Sequence, residues 1–500
     1  MYRHRYWWLA AILFAAMLVQ TVNQYWTGDF WEHAAVVREL ARRPAAPRHP
    51  LFAVDAPHPH FTPFALVAAW LVRATGVSPT TALAILGVVN LICLIVAFYL
   101  FASTALSPGA AFWGLLFTLV LWGVSPWRYS GFLHLGALGF VLPYPSIFAT
   151  WLMLLMLYGL TRFREHGSPG WGALVVAGTP IVLLTHPITS IVLATGLVAF
   201  SVRPALERPG RFVALGAAVA LASAAAAWLW PYFSWFRLIA TGSQTYAAPN
   251  LAMYDSPLGR AWPALLGAPF IAQRLAADKL DGLGLFTLTL ALLYAVGGVI
   301  SNGPLGRVLP ALVLGLHLAL ADGVASYEAR LRATHARRNL RYLYGAMAVV
   351  VVLGLANAAP TLLRTIPRPL LPRTLAADPR LEREIDIYQP LASVVDENDV
   401  VMADLNVSRH VPAFGGRVVA FIDPEAFISD EDARREATFR FFGDIRSDER
   451  QAIISRYGVT LVAIDKKNPL PPSMAGWLNS QRTLLDDAHL RVVRVSGVTG

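Results

Sequence analysis

The sequence is poor in lysine, cysteine and acidic charge, and each shortage excludes something. Only Lys279, Lys466 and Lys467 stand among 41 basic residues, so the positive charge is nearly all arginine. With the abundant alanine, this bias points to a GC-rich bacterial genome. Cys93 is alone and lies within an apolar run, which excludes an intrachain disulfide and leaves the redox compartment open. Charged residues make up 14% of the 500, where a soluble domain carries roughly a quarter. Only 11 of the 31 acids fall in residues 1–360, so this first part reads as membrane and residues 361–500 as ordinary globular protein. The net charge of +10 is carried by short arginine clusters between apolar runs. No basic stripe is interleaved with aromatics, which excludes nucleic acid as a partner. The Gly-containing run Ala403–Arg417 lacks the G-x-G-x-x-G or P-loop spacing that would signal a nucleotide, and there is no internal repeat or low-complexity tract.

Long apolar runs are abundant. A bilayer core is crossed by about 20 apolar residues in a helix. Runs at 6–22, 80–102, 110–126, 143–161, 171–186, 188–201, 212–231, 262–277, 281–300, 304–321 and 342–360 therefore predict about 11 transmembrane helices. The weakest is 262–277, which carries Pro263, Pro269 and Arg274. The stretch 61–75 is about half a crossing long and is expected at or dipping into the interface. The N-terminal run follows Arg3-His4-Arg5 with no small-x-small cleavage site after it, so it reads as a retained first span with its basic end in the cytoplasm. Arg162, Arg164, Arg203, Arg208, Arg211, Arg330, Arg332, Arg337, Arg338 and Arg341 then fall in cytoplasmic loops, as the positive-inside rule expects. The same parity puts the loop 23–79, the segment 127–142, the loop 232–261 and the C-terminus outside.

The expected organisation is a membrane domain over 1–366 and, after the linker Pro367–Pro372, an extracytoplasmic α/β domain over 367–500. Runs near 400–402, 417–421, 459–464 and 491–495 read as strands, alternating with helical stretches near 380–396, 430–442 and 448–457. This pattern predicts a small α/β sandwich.

The first external loop concentrates reactive side chains. It opens Thr27-Gly28-Asp29-Phe30-Trp31-Glu32-His33 and ends Asp55-Ala56-Pro57-His58-Pro59-His60. Asp29, Glu32 and His33 sit at i, i+3 and i+4, which places them on one helical face. A solvated interfacial helix anchored by Trp31 gives the same pattern, and Asp29 is also suited to cap the helix it begins. Asp55, His58 and His60 offer metal-ligand chemistry, a polar rim facing substrate, or a surface turn. Pro57 and Pro59 enforce an extended backbone that keeps the two histidines off a common helical face.

This layout resembles the GT-C superfamily: a first span, a large external loop opening on an acidic motif, many short spans and an external C-terminal domain. Those are integral-membrane glycosyltransferases that take a sugar from a polyprenyl-phosphate carrier. The resemblance implies that Asp29 is the catalytic base or metal ligand, with Glu32 its nearest partner. The acids here are spaced D-x-x-E, unlike the commoner adjacent or D-x-D forms, so the resemblance leaves a divalent metal open. It implies a polyprenyl-phosphate sugar donor and a lipid or glycan acceptor as partners at a bacterial cytoplasmic membrane. Such chemistry needs a base for the acceptor hydroxyl and positive charge for the departing phosphate. Arg128, Arg237 and Arg260, all expected outside beside aromatics, are candidates for that charge, each against the plainer reading of an interface arginine. His186, before Pro187 at an external hairpin, is a further substrate-binding candidate or a residue bonding a freed backbone group. His317, within a span, reads as packed. The polar run Ala403–Arg417 resembles a loop in external domains of similar transferases that faces the acceptor, and it also fits a structural turn. Competing functions are a lipid-linked glycan ligase or polymerase, a transporter or flippase of lipid-linked sugar, and a non-catalytic scaffold. Against transport, the polar residues gather in external loops and no two-fold repeat is found.

Overall fold

The computed structural model describes residues 2–376 and 378–495. The chain is an α-helical polytopic membrane protein with a small sheet near its C-terminus. Its backbone divides into two compact units. One comprises 1–23, 85–230 and 246–376; the other comprises 24–84, 231–245 and 377–500.

The first is the membrane unit. Eight helices of the described chain are long and apolar enough to cross a bilayer: Tyr2–Val22, Pro79–Ala105, Pro145–His166, Pro187–Glu207, Pro209–Leu229, Gly282–Val299, Gly303–Ala333 and Arg337–Asn357. The runs expected at 110–126 and 171–186 form shorter apolar helices, Pro108–Val120 and Pro169–Thr185. The run 262–277 is broken, with a 3₁₀ turn at Trp262–Gly267 followed by a helix of only 10 residues, Ala268–Ala277. The eleven expected crossings are therefore not all helices of crossing length, because Pro263 and Pro269 interrupt the ladder there. Proline also begins helices, at Pro108, Pro145, Pro169, Pro187 and Pro209, where its missing N–H costs nothing, while Pro180 and Pro204 lie inside helices Pro169–Thr185 and Pro187–Glu207.

Several charges within this unit are paired, as burial away from water favours. Arg274 bridges Asp281 at 2.8 Å and Asp322 at 2.6 Å. The buried Glu328 accepts from Arg5 at 3.1 Å and from Trp113 at 3.0 Å. His317 is fully buried and its Nε2 lies 3.0 Å from Leu121 O, so it is packed as expected.

The second unit is built on five strands: β1 (Val400–Ala403), β2 (Arg417–Val418), β3 (Leu461–Asp465), β4 (Arg482–Asp486) and β5 (Leu490–Arg494). Their order is β2-β1-β3-β5-β4. β1 runs parallel to β2 and β3, whereas β5 is antiparallel to β3 and β4. Alternate residues serve opposite faces. Val401, Ala403, Leu461 and Val492 enter one core, and Met402, Val462, Ile464 and Val493 enter the other. The first core also takes Ala35, Leu51 and Phe52 from the loop 23–79. Phe52 bridges Val418, and Val418 N donates to Leu51 O at 2.8 Å, so this loop extends the sheet beyond β2. Helix Phe30–Arg42 is consequently not a solvated interfacial helix. All but two of its 13 residues are buried, including Glu32, His33, Arg38 and Glu39.

Candidate functional site

The second unit draws a carboxylate–histidine cluster from three separate stretches of its chain. Gly28 takes a positive φ of 64°, which turns the chain into helix Phe30–Arg42. Asp29 occupies the N-cap position yet makes no side-chain cap bond, so its carboxylate is not consumed by the helix. One turn on, Glu32 projects from the same helix into a nest of imidazoles. His60 Nδ1 and His58 Nε2 both face Glu32 Oε1, the first in an ion pair and the second at 3.6 Å. His58 Nε2 lies 3.3 Å from Glu425 Oε2 as well. The His33 ring sits 5.0 Å from that of His60, and His49 lies 5.0 Å from His58.

Local hydrogen bonds hold these rings. His49 Nδ1 accepts from Leu51 N and Phe52 N, and Arg417 Nε donates to His49 O at 3.3 Å. His58 Nδ1 accepts from His60 N at 3.3 Å, so Pro57 and Pro59, which keep the histidines off a helix, leave them in a turn aimed at one oxygen. Glu39 ties the returning chain to the helix, accepting from Arg43 and from Arg48 N. Behind Asp29, Glu384 accepts from Thr27 Oγ1, from Trp31 Nε1 and from His410 Nε2. His410 stacks on Tyr388 with ring centres 3.5 Å apart. Trp31 is thus a buried strut rather than a membrane anchor.

The electrostatics divide the cluster. Asp29 is reached by solvent but crowded by protein, and this desolvation, with the charges of Glu32 and Asp423, raises its pKa to about 6. Burial alone would raise Glu32; the His60 contact, with Arg409 in support, holds it below the ordinary range. His60 moves the opposite way, since Glu32 and Asp29 outweigh its burial. Burial lowers His33 and His49 to about 3 and His58 well below 6.5, so all three are neutral. Burial and the charge of Glu32 push Glu425 well above 4.5. Arg409 donates to Asp423 at 2.9 Å and is the arginine whose charge acts on both Asp29 and Glu32.

Two groups have the donors for a divalent cation: Glu32 with His58 and His60, and His49 with His58 and Glu425. The residues fit in type, and His58 Nε2 and Glu425 Oε2 are buried without hydrogen-bond partners among the described residues. The tautomers separate the two groups. His49 Nδ1 accepts two backbone N–H bonds, which puts the proton of the neutral ring on Nε2 and removes that nitrogen as a ligand. His58 carries a weaker version of the same constraint through His60 N, whereas Glu32 and His60 carry none.

The remaining residues singled out from the sequence lie elsewhere. Asp55 is exposed at the surface. Arg237 is exposed and stands over the Phe427 ring at 5.3 Å in the sheet unit. Arg128 and Arg260 belong to the membrane unit and line one cavity of about 370 Å³, with Arg260 5.1 Å from the Trp127 ring. His186, in the same unit, N-caps helix Pro187–Glu207, accepting from Thr189 N at 3.2 Å. His49, Glu384, Arg409, His410, Asp423 and Glu425 were not picked out as site residues. Arg409 and His410 lay within the polar run 403–417, whereas nothing local distinguishes Glu425 from a surface acid.

No protein-family model and no curated protein matches the chain. Solved structures do. ArnT from Cupriavidus metallidurans in the apo state aligns with a TM-score of 0.54 at 14% identity, over 99% of each chain. The same protein is also known bound to undecaprenyl phosphate. The Archaeoglobus fulgidus oligosaccharyltransferase in complex with Zn and sulfate aligns at 0.51 and 13% identity, over 91% of this chain and 68% of that one. Arabinofuranosyltransferase AftD from Mycobacteria aligns at 0.50 and 15%, over 97% of this chain and 41% of that one. At these identities the likeness shows the fold alone, the polytopic helical architecture that these structures share with this chain.

Proposed function

We propose that the chain is a glycosyltransferase of a bacterial cytoplasmic membrane, moving a sugar from a polyprenyl-phosphate-linked donor to a lipid or glycan acceptor on the external face. The observation that carries this reading is Asp29, an uncapped carboxylate with a pKa of about 6, beside a Glu32–histidine cluster in a chain of GT-C fold. ArnT is known with undecaprenyl phosphate bound, which supports the lipid carrier as donor.

Asp29 acts as general base. The acceptor hydroxyl passes its proton to the Asp29 carboxylate as its oxygen bonds to the anomeric carbon. The bond from that carbon to the phosphate oxygen breaks, and polyprenyl phosphate departs with the electron pair. A carboxylate raised to about 6 is ionised at neutral pH and still basic enough to take the proton. Arg409 offsets negative charge that gathers beside Asp29 and Glu32. Glu32 and His60, with His58 after a shift of its turn, would hold a divalent cation, which would supply positive charge for a phosphate group. The zinc complex of the A. fulgidus enzyme supports such a site. His33 and Arg237 are assigned to substrate contacts in the sheet unit, and the cavity of Arg128 and Arg260 to lipid phosphate in the membrane unit.

The test is sugar transfer from radiolabelled polyprenyl-phosphate donors in membranes, with wild type and Asp29→Asn at matched expression. Loss of a general base lowers the rate by about 10²–10⁴. Transfer by Asp29→Asn at the wild-type rate would overturn the assignment and favour a scaffold role for the loop.

A further inference from the structure

A second cavity in the sheet unit, of about 240 Å³, has no part in the proposed transfer. It is lined by Asp404 and Asn406, which follow β1, by Asn468, which follows β3, and by Thr438, Phe439 and Phe442 of helix Glu431–Phe442. Its place in the topology is informative. The chain leaves β1 toward β2 on one side, and leaves β3 toward β4 and β5 on the other. Adjacent parallel strands whose exits diverge open a crevice at their carboxyl ends, and in open α/β sheets that crevice is where ligands bind.

The lining is built for a ligand. Asp404 is fixed by three backbone donors: Asn406 N at 3.0 Å, Val407 N at 3.1 Å and Asp465 N at 2.8 Å. Thr438 is 2% exposed, and its Oγ1 has no hydrogen-bond partner among the described residues. A buried hydroxyl left unpaired is costly and marks a place where a polar partner belongs. Phe439 is 63% exposed, a flat apolar ring at the cavity edge. Among the described residues no lysine or arginine lines the cavity. With Asp404 inside, phosphates and other anions are repelled. Two amides, a carboxylate and a hydroxyl beside an open aromatic face suit a ligand with many hydroxyls on one side and C–H groups on the other.

We propose that this cavity binds one neutral sugar unit of a glycan. The amides of Asn406 and Asn468 and the Asp404 carboxylate take its hydroxyls, and Phe439 stacks on its C–H face. Binding here is a separate property from transfer at Asp29 and is read without it.

The experiment is saturation-transfer NMR on the full chain in lipid nanodiscs. The probes are the methyl glycosides of glucose, galactose, mannose, N-acetylglucosamine and arabinose, with glucose 6-phosphate and glucuronate as anionic controls. At least one neutral glycoside binds with Kd about 1 mM, the anions do not, and Phe439→Ala and Asn468→Ala each weaken binding about tenfold. Both side chains lie at the surface of the cavity, so neither change threatens the fold. The proposal is overturned if no neutral glycoside of this panel binds, if the anions bind equally well, or if binding survives both substitutions.

Discussion

Glu384→Ala tests whether the strut behind Asp29 is what holds the helix that carries it. Glu384 accepts from Trp31 Nε1, His410 Nε2 and Thr27 Oγ1. Trp31 and His410 are buried, at 0% and 4% exposure, so their donors are left without an acceptor when the carboxylate goes. Thr27 can turn to water. A hydrogen bond to a charged group contributes about 1.5–3 kcal/mol, so the two buried donors place the loss at roughly 3–6 kcal/mol. The Glu384 side chain is 30% exposed, and water entering the space would replace part of the lost acceptor. That brings the expected local loss to about 2–4 kcal/mol. The assay is amide hydrogen exchange on the full chain, because local opening is measured there without assuming that the whole molecule unfolds in one step. Protection of the amides of helix Phe30–Arg42 falls roughly 30- to 1,000-fold in Glu384→Ala. Glu384→Gln keeps one carbonyl acceptor and falls between wild type and Ala. Protection in Glu384→Ala within a factor of about three of wild type would refute the reasoning, since it corresponds to well under 1 kcal/mol.

The same carboxylate makes this helix sensitive to acid. Burial alone would raise Glu384 above its ordinary 4.5, but the hydrogen bonds from His410, Thr27 and Trp31 outweigh it and hold the group lower. Because the folded pKa is the lower one, the contribution is complete above 4.5 and is lost as pH falls through the folded value. Exchange protection of helix Phe30–Arg42 therefore drops on acidification in wild type and changes less in Glu384→Gln; identical profiles would count against it. A cation at the cluster must displace the proton that Glu32 favours on His60, so Zn²⁺ affinity by calorimetry rises with pH, by up to about tenfold per pH unit while His60 is protonated. Glu32→Gln lowers that affinity, while His49→Ala leaves it within a few-fold; equal losses from both would contradict the tautomer assignment.

The strength of the local signals explains which parts of this protein were legible early. Partition between water and lipid depends on composition over about 20 residues, so the membrane part and most of its helices stand out in the sequence. The break at 262–277 was visible as Pro263 and Pro269. Helical periodicity likewise joined Asp29, Glu32 and His33 before any fold was known, since a spacing of three or four residues is a local property. Strands β1 and β3 showed as short β-branched runs, whereas β4, Arg482–Asp486, carries charge at both ends and did not.

Only the tertiary structure decided what surrounds those residues. Glu425 reaches His58 across more than 360 positions, and Phe52 completes the core of a sheet whose strands begin at Val400. Neither relation leaves a periodic trace, because contacts between distant segments are selected by packing and by the pairing of buried polar groups. Trp31 shows the consequence most directly. By its sequence context it reads as an aromatic at the membrane surface, yet it is buried against Glu384 and His410, since an indole N–H removed from water needs an acceptor. Sequence alone set apart the apolar helices and brought Asp29, Glu32 and His33 together, because both are local properties of the chain. The fold determined which side chains stand beside them, His58, His60 and Glu425 around Glu32 and Glu384 beneath Trp31, because that depends on distances in space that spacing along a chain does not encode.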